Sequence, residues 1–153
     1  KDYRKFNSIA LVTDAGTPAV SDPGMKLVRD LAMADFEIIP IPGPSVLSAI
    51  ISVSDIDLSE FCFLGFPPHK KGRQTFFKKV AKIDMPVILF ESPHRIQKTL
   101  RELEAACGNR YVNIGRELTK IYEEVFRGKL SEAQKYFTGE KIRGEFVIVL
   151  DLK

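Results

Sequence analysis

Apolar positions along the chain fall into short runs that alternate with amphipathic stretches. Ser8-Ile-Ala-Leu-Val12 has the length of a strand, and two turn clusters follow it, Thr13-Asp-Ala-Gly-Thr-Pro18 and Ser21-Asp-Pro-Gly24. From Met25 to Ala34, Leu27, Val28 and Leu31 recur at helical spacing. Phe36 to Ile41 predicts a second strand that stops at Pro42-Gly-Pro44, after which Ser45 caps a helix through Ile51. Strand, loop, helix, repeated, points to a parallel α/β sheet.

A short polar stretch, Asp55 to Ser59, reads as a hinge between two lobes, residues 1–57 and 58–153. Beyond it the pattern predicts a strand over Phe61–Phe66, a turn at Pro67-Pro68 and an amphipathic helix over Gly72–Ile83. A strand at Pro86–Phe90 and a helix over Pro93–Cys107 come next, the helix opening on proline and closing at Gly108. Strands are expected at Tyr111–Gly115 and Glu124–Leu130, then a helix over Ser131–Phe137 with Ser131 as cap and Gln134 as its capping-box partner. The last strand, Glu145–Leu150, is continuously apolar, as a strand buried on both faces must be.

Composition narrows the class. With 153 residues, 44% hydrophobic and 28% charged, the chain can bury a core and does not read as disordered. Its longest apolar runs are far too short to span a bilayer, and the polar start, Lys1 to Ser8, is no signal peptide. Cys62 and Cys107 are far apart without metal-ligand spacing, so both read as structural thiols in a reducing, cytoplasmic setting; no metal site is expected. A net charge of +3 is mild, but basic residues cluster at His69-Lys70-Lys71, Arg73 and Lys78-Lys79. Such clusters are either solvated helix faces or contacts to phosphates.

Two loops stand out because each follows a strand and precedes a helix, where open α/β sheets bind ligands. In Asp14-Ala15-Gly16-Thr17-Pro18 small residues admit a ligand to the backbone, and Asp14 and Thr17 supply polar anchors. Pro42-Gly-Pro-Ser45 repeats the device and places Ser45 and the amide of Val46 at a helix start. Neither GxxxxGK[ST] nor GxGxxG occurs, which disfavours a nucleotide held by its phosphates.

The run Asp14-Ala-Gly-Thr-Pro-Ala-Val-Ser-Asp-Pro-Gly24 with Pro40-Ile-Pro-Gly-Pro-Ser45 resembles the tetrapyrrole (corrin/porphyrin) methylase family. Within that family the chain is similar to the branch that methylates a cytidine ribose in 16S ribosomal RNA. The residues carrying that likeness are Gly65-Phe-Pro-Pro68 with Lys71-Gly-Arg73, Phe90-Glu-Ser-Pro-His-Arg95, Gly115-Arg-Glu-Leu-Thr-Lys120 with Glu123-Glu124, and Gly144-Glu-Phe-Val-Ile-Val149.

The resemblance implies a two-lobed α/β fold, its first lobe an incomplete parallel sheet and its second a mixed sheet with helices. S-adenosyl-L-methionine is the implied donor, and a homodimer the implied assembly. Donor contacts would come from Asp14, Ala15, Gly16, Thr17, Pro18, Ser45 and Val46, and from Phe66 and Leu118 in the second lobe. Family members also carry a strand and a loop ahead of the position that is Lys1 here. On that reading the chain as given is expected to bind the donor weakly and to associate through an open sheet edge.

Methyl transfer to a ribose 2′-oxygen needs alignment and removal of one proton. Glu91, His94, Arg116 and Glu117 are the candidates, since their motifs sit just after strands. Glu117 either orients Arg116 or acts as base, and His94 is either catalytic or simply a helix-start residue. Lys70, Lys71, Arg73, Arg95 and Lys120 would meet phosphates of small-subunit ribosomal RNA or the 30S particle. Phe66 is a candidate for stacking on a base, whereas Phe76 and Phe77 fit the core better. Two other readings remain open: methylation of a tetrapyrrole or protein side chain on the same fold, and a non-catalytic scaffold.

Overall fold

A computed structural model describes residues 3–14 and 16–152. The chain forms two compact units, residues 1–45 and 46–153.

In the first unit the helix α1, Met25–Ala32, starts after Gly24, whose φ of 137° turns the chain where a side chain would run into Leu11. The apolar runs at 8–12 and 36–41 are neither helix nor strand. This corrects the reading of two parallel strands here. A strand exists only by pairing, and alternation in sequence specifies a face rather than a neighbour. Val12, Ile39 and Ile41 accordingly remain 81%, 67% and 78% exposed.

The second unit is a five-stranded mixed sheet with helices, as expected. Its elements are α2 (Val46–Val53), β1 (Cys62–Gly65), α3 (Arg73–Val80), β2 (Val87–Glu91), α4 (Ile96–Cys107), β3 (Tyr111–Arg116), β4 (Glu124–Lys129), α5 (Leu130–Tyr136) and β5 (Phe146–Leu150). Strand order is β1-β2-β5-β3-β4, with β1 and β2 parallel and the other pairs antiparallel. Alternate residues of β2 and β5 serve opposite faces. Val87, Leu89, Phe146, Ile148 and Leu150 pack under α3, α4 and α5 with Phe77, Leu100 and Phe137. Ile88, Phe90, Val147 and Val149 pack on the other face with Ile50 of α2 and with Leu118. Covering both faces explains why β5 is apolar throughout and β2 is apolar up to Glu91.

Two local readings change. The helix α5 starts at Leu130, and the Glu132 carboxylate accepts the Lys129 amide at 2.7 Å, so Gln134 has no part in the cap. Ser131 bonds instead with Asn109, through its amide and its hydroxyl, both at 2.9 Å. The polar stretch read as a hinge is fastened to β3: the buried Asn113 accepts from Ser54 Oγ at 2.8 Å and from the Asp55 amide at 3.1 Å. Asn113 also donates to Asp55 Oδ1 at 2.8 Å, and Tyr111 donates to Oδ2 at 3.0 Å. These bonds hold the Asp55 carboxyl below its ordinary value, Asn113 first, against a smaller opposing effect of burial.

Candidate functional site

The two ligand-binding loops foreseen in the first unit lie together. Thr17 Oγ1 donates to the carbonyl of Pro44 at 3.3 Å, joining the turn after residue 12 to the turn after residue 41. Thr13 Oγ1 donates to the carbonyl of Gly16 at 2.9 Å and closes the first turn on itself. Gly16 has φ +81°, a left-handed conformation that favours glycine, and its face lies toward Pro44. At Gly43 an added Cβ would meet nothing within 4 Å, so packing does not require glycine there. Both turns thus present bare backbone beside two threonine hydroxyls. Asp14 is exposed, Thr17, Pro18 and Ser45 are half-buried, Val46 is exposed, and Ala15 lies outside the described residues.

In the second unit, two of the motifs condense into one buried polar cluster. Glu91 ends β2 at 1% exposure, and every ligand of its carboxylate is a neighbour in the fold. Oε1 accepts from the Ser92 amide at 2.8 Å and pairs with the Arg95 guanidinium at 2.8 Å. Oε2 accepts from Thr99 Oγ1 at 2.6 Å and lies 4.0 Å from the Arg73 guanidinium. Arg73 donates onward to Pro68 O at 2.9 Å, to Thr99 Oγ1 at 2.6 Å and to Glu102 at 2.8 Å. Arg95 donates to Pro67 O at 3.0 Å. The two arginines therefore hold the carbonyls of Pro67 and Pro68, and the loop after β1 is clamped by charge-assisted bonds. Phe66, the residue before them, stands 49% exposed with its edge against Phe90.

This cluster corrects three assignments. Arg73, read as a phosphate contact, is 4% exposed with its guanidinium committed inside. Arg95 is half-buried and tied to Glu91, so it too is spent within the fold. Glu91, read as a base, is enclosed and fully bonded, a positioning group. Thr99 and Glu102 were not foreseen as site residues. Thr99 had a signal: it interrupts the apolar face of α4 formed by Ile96, Leu100 and Leu103.

The turn joining β3 to β4 holds the third motif and meets the start of the fourth at Glu145. Arg116 donates to Glu124 at 3.0 Å, and its charge acts on Glu117 only as a minor influence. Glu117, with φ +49°, turns toward β5, where its Oε1 accepts the Glu145 amide and the Lys120 ammonium, each at 2.9 Å. The amide of Glu145 and then Lys120 hold the Glu117 carboxyl below its ordinary range. Lys120, half exposed, is also bonded to Glu145 at 2.9 Å. Leu118 is buried in the core under α2, which corrects its side chain as a donor contact. His94 is exposed and lines an open depression with Pro93, Gln97, Ile142, Arg143 and Gly144. Of the foreseen phosphate contacts, Lys70 and Lys71 are exposed beside α3. Phe77 is buried and Phe76 half-buried against it, both as core residues. Neither cysteine is in a disulfide, and both are half-buried. No metal-binding cluster and no helix long and apolar enough to cross a membrane occurs among the described residues.

Comparison with known proteins fits this geometry. A ribosomal RNA small subunit methyltransferase I from Thermotoga maritima is 42% identical over 98% of this chain and 68% of its own length. The chain spans between about half and two thirds of the curated relatives it matches. Among solved structures, a cobalt precorrin-4 methyltransferase of cobalamin biosynthesis superposes with a TM-score of 0.67 at 18% identity, over 89% of this chain and 61% of that one. A uroporphyrin-III C-methyl transferase from Thermus thermophilus, complexed with S-adenyl homocysteine, does so at 0.58 and 15% identity, over 88% and 62%. Residues 1–134 match the family described as Tetrapyrrole (Corrin/Porphyrin) Methylases. The chain, with its paired glycine-proline turns and its mixed sheet, belongs to the tetrapyrrole methylase family.

Proposed function

We propose that this chain serves the transfer of a methyl group from S-adenosyl-L-methionine to the ribose 2′-oxygen of a cytidine in 16S ribosomal RNA. Family membership and the name borne by a relative at 42% identity support the reaction class and the RNA. The observation that carries the donor is the bond between Thr17 and Pro44, which brings two bare-backbone turns to one place.

The open space over Gly43 and the left-handed Gly16 fit a flat ligand held through backbone groups. Thr13, Gly16, Thr17 and the 42–45 turn are the residues that would hold it. When bound, the donor supplies an electrophilic methyl carbon on a positively charged sulfur. The chain's task is then to place the ribose hydroxyl and to accept its proton. Glu91 is enclosed by its own partners, and Glu117 is a weakened base because its ionised form is doubly hydrogen-bonded. Arg116 is paired with Glu124. His94, exposed at its depression, is the candidate able to meet a substrate.

Titrating S-adenosyl homocysteine into isotope-labelled protein tests the donor site even if binding is weak. Amide resonances of residues 13–18 and 43–46 are expected to shift together, and less in Thr17→Val. No shift at millimolar ligand, or shifts confined to the second unit, would refute the assignment.

A further inference from the structure

We infer that the loop before α3 and the outer side of that helix form a docking surface for RNA phosphates. This rests on the RNA reading above and names the surface that reading lacks. Residues 69–82 hold six basic side chains (Lys70, Lys71, Arg73, Lys78, Lys79 and Lys82) and no acidic one. The fold sorts them. Arg73, Phe77 and Val80 face the core, and Arg73 is neutralised there by Glu102 and Glu91. Lys70, Lys71, Lys78, Lys79 and Lys82 are outside.

Lys78 and Lys79 stand on α3, while Lys70 and Lys71 lie in the turn before it and Lys82 in the turn after it, all exposed. Lys98 of α4 joins the group: it lines an open polar depression with His69, Lys70, Gln74 and Thr75. The one acidic residue in that depression, Glu102, is 2.7 Å from Arg73 and faces it rather than the lysines. Five exposed lysines are thus left without a carboxylate in their own segment. Their field favours a polyanion, and the buried Arg73 fixes the Pro68 carbonyl and so braces the strip that carries His69 to Lys71.

A phosphate backbone fits this face better than a membrane does. A helix that lies on a bilayer presents large apolar side chains between its cations, whereas Phe77 is buried and Phe76 packs against the core. Lysine contacts to phosphates supply affinity and register without reading sequence.

The test is a salt titration of binding to small-subunit ribosomal RNA by the full chain, its triple variant Lys71→Glu/Lys78→Glu/Lys82→Glu, and the charge-conserving triple arginine variant. Each phosphate contact contributes about 0.7 to 0.9 to the slope of log affinity against log salt. The glutamate variant is therefore expected to lose about two units of slope and at least about tenfold in affinity at 0.1 M salt, while the arginine variant matches the parent. Exposed positions leave the fold intact, which circular dichroism checks. Equal slopes for parent and glutamate variant would overturn the docking surface alone. Failure of the parent to bind RNA, or its binding only to phosphatidylserine vesicles, would overturn both this surface and the RNA reading. The donor titration above would be untouched in every case.

Discussion

Glu91 and Arg95 form an ion pair at 2.8 Å across the turn from β2 to α4, and the carboxylate has no exposed surface on its side chain. A buried pair owes its worth to completeness: removing one partner strands the other's charge in a poor solvent. Here Arg73 depends on the same carboxylate. Glu91→Ala is expected to cost about 3–5 kcal/mol of unfolding free energy. Glu91→Gln, which keeps the shape and one acceptor, costs less. Urea unfolding measures both, and equal, near-zero losses would show that the cluster does not hold the Pro67-Pro68 loop.

Gly144 has φ +85°, and a methyl group there would run into the Glu117 side chain. Gly139, at φ +55°, has open space instead. Alanine at Gly139 thus reports backbone strain alone, whereas alanine at Gly144 adds a collision that breaks the Glu117 bonds. Gly144→Ala is expected to lose about 1–2 kcal/mol more than Gly139→Ala. In a Glu117→Ala background that excess disappears, and a thermal-unfolding cycle reads the difference.

Glu117 and Lys120 shift in opposite directions. Glu117 titrates below its ordinary value, so its contribution is complete above the usual carboxylate range and is lost as pH falls through the lowered value. Lys120 is raised, by Glu117 first and Glu145 next, so its contribution holds below the usual lysine range and is lost as pH climbs through the raised value. The stability gap between parent and Lys120→Met should be flat from roughly pH 5 to 10 and close toward either extreme. Lys120 is half exposed, so the gap is small, under about 1 kcal/mol. A gap that widened in acid would contradict the pairing.

Much of the second unit was legible because burial on two faces writes continuous apolar runs, as at Val87–Phe90 and Phe146–Leu150. The first unit was less so. Ile39 and Ile41 carry a strand's composition, but a ladder depends on a neighbour that periodicity does not specify. The paired turns were readable as loops, and their meeting through Thr17 and Pro44 is a contact across 27 residues that no local pattern encodes. Arg73 was misread for the same reason. Beside Lys70 and Lys71 it looks like part of a solvated cluster, yet its partners Thr99 and Glu102 wait on another helix.

The most direct test is transfer of tritium from labelled S-adenosyl-L-methionine to small ribosomal subunits, followed by alkaline hydrolysis of the RNA. A methylated 2′-oxygen cannot attack the adjacent phosphate, so the label should survive in alkali-resistant dinucleotides. His94→Gln should slow its appearance about 100-fold or more without changing RNA affinity. Label released as mononucleotides, or found only on an added porphyrinoid, would contradict ribose methylation.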